Sequence, residues 1–398
     1  MSLDFSFSEE HEMVRQSARD VMKQFEGRRD ELREMIVEKK KFPQDVWDAV
    51  AEAGFLGSII PEEYGGTNMG LLPYTIAVEE FAALGFGNAL MVVTIMDAAC
   101  ILKNGTEEMK KRILPGICDG SLKLAFAVTE PNAGSNTFRL QTTAIREGDH
   151  FRMNGQKTFI TGADVCDYVM VVARSLTLEQ AKEQGLPKSY GLSIFLVPTG
   201  IDGYTMTPLP MKGIEGFRQF QLDFNDVMIP DDMLIGDEHG GTMALFNSLN
   251  PERILAGAIS CGMTRYLLER SCDYARDRRV FKDTPIGAYQ AIQHPLAEIR
   301  IHLDAVQLLT YRAAWAFDEG LPPGQVGMYA NMAKYMGAEM GIDAADRAIQ
   351  THGGNGFSTE YGVVHYWEAA RLLRTAPISK EMILNYVAEH VLQLPRSY

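Results

Sequence analysis

Apolar positions recur at helical spacing through the first third of the chain. In SEEHEMVRQSARDVMKQF, Val14, Ala18, Val21 and Met22 share one face, Ser8 stands as an N-cap, and acids fill the first turn. PQDVWDAVAEAG repeats the form and stops at Gly54, which suits a left-handed C-terminal cap. PEEYGG at 61–66 predicts a turn, and further helical stretches run roughly over 73–84 and 106–115.

From about residue 124 the period shortens. HFRMNGQKTFITG, DYVMVVARS, GLSIFLVPT and QFQLDFNDVMIP are short and rich in β-branched and aromatic residues, with a hairpin turn predicted at Asn154-Gly155. From about residue 241 long helices return: ERILAGAISCGMTRYLLERSCDYARDR, IRIHLDAVQLLTYRAAWAFDEG, MYANMAKYMGAEMGIDAADRAIQ and SKEMILNYVAEHVL. Ser379 is the natural N-cap of the last, with Glu381 in its first turn. The pattern predicts an α+β protein with a helical domain over 1–123, an all-β domain over 124–240 and a bundle of four long helices over 241–398.

Composition narrows the function classes. The 398 residues suffice for two or three sizeable cores, with 46% hydrophobic and 23% charged residues. A net charge of −14 argues against nucleic acid and anionic membrane surfaces, both of which call for clustered Lys and Arg. The apolar run ALMVVTIM stops at Asp97, too short for a membrane span. Cys100, Cys118, Cys166, Cys261 and Cys272 are scattered, as expected of reduced thiols in a cytoplasmic protein, and MSLDFSFSEEHEM carries no signal-peptide pattern. The histidines show no metal-ligand spacing. No nucleotide loop, nucleophile elbow or zinc-protease motif is present, and GGNGF follows a helix rather than a strand, so it is not a dinucleotide fingerprint.

Four rarer segments carry more. AFAVTEPNAGSN at 125–136 resembles the flavin-proximal motif of acyl-CoA dehydrogenases, usually T-E-P-x-A-G-S-D. NGQKTFITG is similar to the family's N-G-x-K-x-[WF]-I-T, RDRRVFKDTPIGAYQAIQ to its R-x-x-F-G…F-Q, and QTHGGNGFSTEY to its Q-x-x-G-G-x-G. The order, the spacing and the helix–β–helix layout agree across the chain. The resemblance implies the acyl-CoA dehydrogenase fold, with a middle β-barrel or sandwich and a C-terminal four-helix bundle, and FAD as cofactor. Phe126, Val128, Thr129 and Ser135 would then meet the flavin in a turn whose small residues permit close approach to a planar ring. Phe159 would lie against the isoalloxazine and Thr161 hydrogen-bond its edge. Arg278, pairing with the pyrophosphate, and the Gln350–Gly354 segment, with Gln350, Gly353 and Gly354, would reach the FAD of a neighbouring subunit; Phe281 and Gln290 would also bind the cofactor, and Ser135 the substrate as well. A homotetramer is therefore implied. Taken singly, these segments read as a Pro-Gly loop, a hairpin with a core aromatic and a solvated helix face.

The chain departs from the pattern at Asn136 for Asp, at Lys282 for Gly, and at KGIEGFRQF (212–220), which lacks the usual Ser and Thr. The sharpest departure is RTAPISKEMIL at 374–384. Aligning Arg371, Arg374 and Glu381 with the family's E-G-T-x-[EQ]-I region puts Pro377 where the proton-abstracting Glu usually stands. Ser379 falls on the Thr that contacts flavin. In the family the backbone N–H at the Pro377 position also helps hold the thioester oxygen, and proline has none. Either Ile378 or Ala376 donates instead, or the enolate is less well stabilised, or the substrate is not a simple acyl-CoA. Members resembling isovaleryl- and long-chain acyl-CoA dehydrogenases carry the base in L-x-x-E-R. Here LNPERILAG places Glu252 there, with Asn250 and Arg253 matching residues that hold the CoA thioester portion. Glu252 equally reads as a first-turn acid following Pro251 at N1. Such a Glu has an ordinary pKa of about 4.3, expected to rise when substrate desolvates it.

The activity implied is α,β-dehydrogenation of an acyl-CoA in fatty-acid or amino-acid catabolism, with electrons passed to an electron-transfer flavoprotein. The same fold also serves enoyl-CoA reduction, flavin oxidase or monooxygenase chemistry, and a catalytically weak scaffold. Joint retention of Glu252, Thr129, Thr161 and Arg278 argues against the last.

Overall fold

The computed structural model describes residues 6–87, 89–213 and 218–396. Among the described residues, six α-helices form the N-terminal segment: α1 (Glu9–Lys23), α2 (Arg29–Arg33), α3 (Gln44–Glu52), α4 (Leu71–Ala83), α5 (Ala89–Asn104) and α6 (Glu107–Cys118). Ser8 caps α1 as expected, its Oγ accepting the His11 N–H at 3.2 Å. Gly54 closes the α3 region in the left-handed conformation. α5 has no counterpart among the predicted helices. It is apolar on nearly every side, so no 3.6-residue alternation marks it, and burial from all directions explains why.

The middle segment holds β1 (Leu124–Ala127), β2 (Thr143–Glu147), β3 (His150–Thr161), β4 (Tyr168–Arg174), helix α7 (Leu178–Glu183), β5 (Leu192–Pro198), β6 (Tyr204–Leu209), β7 (Gln219–Pro230) and β8 (Leu234–Ile235). The described strands pair in the order β6-β7-β3-β2-β4-β5-β8, with β1 joined in parallel to β4. The segment is thus not purely β: α7 interrupts it, fixed by a Thr177–Gln180 capping box. Asn154-Gly155 is not a turn. Both residues lie inside β3, where pairing with β7 shifts register between Met153 and Gly155. A Cβ at Gly155 would sit 2.6 Å from Thr142 Cα, so this glycine serves close strand approach rather than reversal.

The C-terminal segment comprises α8 (Gly241–Asp277), a short β9 (Arg279–Val280) and β10 (Thr284–Pro285) ribbon, α9 (Gln290–Asp318), α10 (Pro323–His352), α11 (His365–Leu372) and α12 (Lys380–Tyr386). α8 packs against α4, α5, α9, α10 and strand β5, so it is the axis on which all three segments meet. One continuous core runs through the interface, from Trp47 and Phe81 through Phe151 and Phe195 to Leu255 and Ala314. A polar clamp reinforces it. Arg265 on α8 donates to Glu79 and to Glu80 of α4, each at 2.9 Å, and Tyr311 of α9 donates to Glu79 at 2.5 Å.

Candidate active site

The T-E-P turn and strand β3 are cross-linked beneath the expected flavin face. Lys157 Nζ lies fully buried, 2.9 Å from Glu130 Oε1, and also donates to the Val128 carbonyl at 3.1 Å. Glu130 in turn accepts the Gln141 and Thr142 N–H groups at 2.7 and 2.9 Å, while Thr158 N–H donates to the Thr129 carbonyl at 2.9 Å. Burial pulls Lys157 down to about 8. Burial alone would raise Glu130, but the Lys157 charge and these donors hold it below the usual carboxylate range. The pair was not singled out in the sequence, although both residues sit inside quoted motifs. A Lys at an inward strand position is the signal.

This frame presents the expected ring contacts. Phe159 stands at φ +59°, where the β3–β7 register breaks between Lys157 and Ile160, with 53% of its surface exposed. A large aromatic held outward in a left-handed backbone is not a core side chain, and Phe159 is a candidate functional position. Thr161 accepts a hydrogen bond from Gln219 at 2.7 Å, so its hydroxyl orientation is set. Phe126 and Val128 are half-buried, packed on the core; Thr129 is half-buried; Ser135 and Asn136 are exposed beside Gly134, which faces open space. Of KGIEGFRQF, residues 214–217 lie outside the described residues.

A second group assembles at the far end of α8. Arg278, Phe281, Gln350, Gly353 and Gly354 line a cavity of about 550 Å³. Gln290 opens α9 beside Tyr289, which also lines it. Lys282, standing where glycine is usual, adopts φ +56°, a left-handed conformation that favours glycine. Gly353 ends α10 at φ +59°, and both Gly353 and Gly354 face open space. The sequence reading missed Tyr274 and Asn355 here, and His352 lay within the Gln350–Gly354 segment without being singled out. The His352 and Tyr274 rings stack at 4.4 Å, and Asn355 donates to the Tyr274 hydroxyl at 3.1 Å.

The third group surrounds Glu252. Because α8 begins at Gly241 and continues through Pro251, Glu252 lies well inside the helix, and the first-turn explanation for this acid fails. Its carboxyl is raised to about 7 by burial, against the pull of Arg253 and Lys334. Solvent still reaches part of the side chain, so it lies in a recess rather than sealed in the core. The protein itself, before any substrate, has supplied the desolvation. Asp97 on α5 faces the same group: both its oxygens are buried without a hydrogen-bond partner among the described residues, and burial together with Glu252 pushes it well above the usual range. Asn250 donates to the Pro323 carbonyl at 3.3 Å. At the edited turn, Ser379 Oγ caps α12 by accepting the Met382 N–H at 3.3 Å. Ala376 N–H already donates to the Leu372 carbonyl at 3.0 Å, which leaves Ile378 as the candidate replacement donor beside Pro377.

The Glu252 group and the T-E-P strand share a neighbour, since α5 packs on both α8 and β1. The Arg278 group stands apart, about 39 Å from Glu252 along the helix axis. A strained outward aromatic, an adjacent open glycine turn and a separate basic, glycine-lined cavity fit a flavin ring at one place and a dinucleotide phosphate at another. These features fit a flavoprotein oxidoreductase that takes FAD as cofactor. The sequence matches the N-terminal, middle and C-terminal domain models of acyl-CoA dehydrogenase over residues 8–121, 125–227 and 239–392. The chain belongs to the acyl-CoA dehydrogenase family. It is 45% identical over 361 residues to the acyl-CoA dehydrogenase FadE12 of Mycobacterium tuberculosis, covering 90% of this chain and 91% of that one. It is 31% identical to CarC, a subunit of the caffeyl-CoA reductase-Etf complex of Acetobacterium woodii, over 92% of this chain and 94% of that one. A solved glutaryl-CoA dehydrogenase complex with glutaryl-CoA superposes with a TM-score of 0.89 at 30% identity, covering 99% of this chain and 98% of that one.

Proposed function

We propose that the protein dehydrogenates an acyl-CoA thioester at its α,β bond, with Glu252 taking the α proton and electrons leaving to an electron-transfer flavoprotein. FAD supplies hydride acceptance when bound. The observation that carries the reading is Glu252 itself: a carboxyl raised to about 7 by burial, in a chain whose usual base position is Pro377. A base whose pKa lies near working pH combines a useful ionised fraction with real proton affinity. Phe159 and Thr161 orient the ring, Arg253 and Asn250 serve the thioester portion, and Ser379 fixes the turn. The five free cysteines and the absence, among the described residues, of a helix able to cross a membrane support a cytoplasmic enzyme.

The reading includes a homotetramer. Arg278 is too far from Glu252 for one FAD to meet both within one chain, so the Arg278–Gln350–Gly354 cavity serves a neighbour's cofactor. The reverse reaction, enoyl-CoA reduction, is the second reading. It is favoured by the likeness to a caffeyl-CoA reductase subunit and by a Glu252 that is partly protonated near neutral pH. Anaerobic stopped-flow against a panel of acyl-CoAs separates the two. A base must be ionised, so flavin reduction by acyl-CoA is expected to rise with pH through about 7 and then level off. Oxidation of reduced flavin by an enoyl-CoA, which needs the protonated acid, falls over the same range. Glu252→Gln should retain FAD and bind acyl-CoA without bleaching; wild-type bleaching rates in that variant would refute the assignment.

A further inference from the structure

Tyr386 is a polar group beside the site that the mechanism above leaves unused. It closes α12, and its hydroxyl donates to the Gly324 carbonyl in the first turn of α10 at 3.1 Å. Asn250 of α8 donates from Nδ2 to the adjacent carbonyl, that of Pro323, at 3.3 Å. The two side chains meet over Gly327: a Cβ built there would stand 3.4 Å from Asn250 Oδ1 and 3.7 Å from the Tyr386 hydroxyl. The seam continues in register, since Gly337 of α10 faces Ser260 of α8 and Gly341 faces Met263. α8 and α10 therefore run parallel, and α12 joins them at the level of Asn250, two residues before Glu252. Only the amide nitrogen of Asn250 can donate to a carbonyl, so Oδ1 is turned away from Pro323 and has no donor among the described residues. It is left to accept an N–H at the thioester end of the CoA arm. Within α12 only Ile383 is buried, so side-chain hydrogen bonds carry much of its attachment. Tyr386 supplies one at the end of the segment, and Lys334 of α10 supplies another at the Ile378 carbonyl.

We propose that Tyr386 is a positioning residue for substrate binding: by fastening α12 to the first turn of α10 it fixes the carbonyl that orients Asn250, and through Asn250 the CoA arm. Removing the hydroxyl frees that turn, and the amide gains motion that substrate binding must then suppress. Glu252 is placed by α8 itself, so the effect falls on substrate affinity and leaves proton abstraction at its own rate. This inference rests on the proposed role of Asn250 toward acyl-CoA.

Anaerobic stopped-flow flavin reduction in the FAD-loaded protein tests it, in Tyr386→Phe, Asn250→Ala and the double variant. The substrate is the fastest-bleaching member of a panel of straight-chain, branched and aryl acyl-CoAs. The readouts are the limiting rate and the half-saturating concentration, with flavin content and melting temperature recorded alongside. Tyr386→Phe should raise the half-saturating concentration about three- to tenfold, the range of one neutral hydrogen bond, with the limiting rate within about twofold of wild type. Asn250→Ala should raise it about tenfold or more. Because the hydroxyl acts through Asn250, the double variant should match Asn250→Ala to within about twofold, whereas two independent packing losses would multiply. An unchanged half-saturating concentration in Tyr386→Phe overturns the proposal, and so do multiplied effects in the double variant. If Asn250→Ala does not hold FAD, Asn250→Asp, which has no N–H for Pro323 at neutral pH, takes its place in the cycle. An Asn250 variant that binds acyl-CoA as wild type does removes the role of Asn250 and this inference with it. A weakened Asn250 variant beside an unaffected Tyr386→Phe removes only the tyrosine's role. Wild type that no member of the panel bleaches removes the dehydrogenase reading and this inference together.

Discussion

Burial holds Glu252 at about 7, so ionising it in the folded protein is harder than in the unfolded chain. The sign follows directly. The folded state binds the extra proton, so this carboxyl favours folding below its ordinary range and withdraws that advantage as pH climbs through about 7. Glu252→Gln has no charge to bury. It should therefore be more stable than wild type at pH 8, by on the order of 2–3 kcal/mol, and the gain should vanish near pH 4. Urea midpoints of the two FAD-loaded proteins at both pH values measure this; equal midpoints at pH 8 would mean that the carboxyl is not desolvated. Glu252 was legible as a residue in LNPERILAG, but its environment was not. The helix was expected to start there, and only the fold shows that it starts at Gly241, since Pro251 looks like a beginning in one dimension. Asp97 and Lys334 went unread as site residues because each lies within an otherwise unremarkable helix sequence.

At the level of the element, the flavin face depends on the junction of the T-E-P turn with β3. Glu130 and Lys157 are paired inside the protein, and removal of either leaves the other charged and unanswered. Glu130→Ala is expected to cost about 3–5 kcal/mol and to weaken FAD retention, because the Gln141 and Thr142 N–H groups lose their acceptor as well. Chemical denaturation with flavin release as the second probe checks this; a loss below about 1 kcal/mol would place the pair among ordinary surface bridges. The element pattern itself was mostly legible. Helix ends at Ser8, Gly54, Gly320 and Ser379 follow local capping chemistry, and local chemistry is what a sequence displays. Beside α7, the start of α8 and a fourth long helix that is only the short α12, the misreadings include α5 and Asn154-Gly155. Both are settled by what packs against them from elsewhere in the chain: α8 and β1 around the one, Thr142 against the other.

For the whole molecule, α9 carries a stripe that a lone subunit leaves in water. Ile301, Leu308 and Trp315 recur every seven residues, with 68%, 50% and 46% of their surfaces exposed. Phe281 and Phe357 are exposed as well. On the proposed homotetramer, these exposed apolar side chains are expected to meet a neighbouring subunit. Ile301→Glu combined with Trp315→Glu should shift the assembly to smaller species and release FAD in the same concentration range. Light scattering with absorbance at the flavin band follows both; an unchanged mass with full flavin would put the interface elsewhere.

The length of α8 bears on inheritance as well as on mechanics. On the proposed reading, this helix delivers a chain's base to its own site and, at its other end, a chain's arginine to someone else's. A defect at Glu252 is then private to the subunit that bears it, while a defect at Arg278 is exported to a neighbour. Two alleles, each inactive alone, would complement in a mixed assembly: the chain lacking Arg278 still owns a sound base, and its Glu252-defective neighbour lends it the missing arginine. The reciprocal site carries both lesions and stays silent.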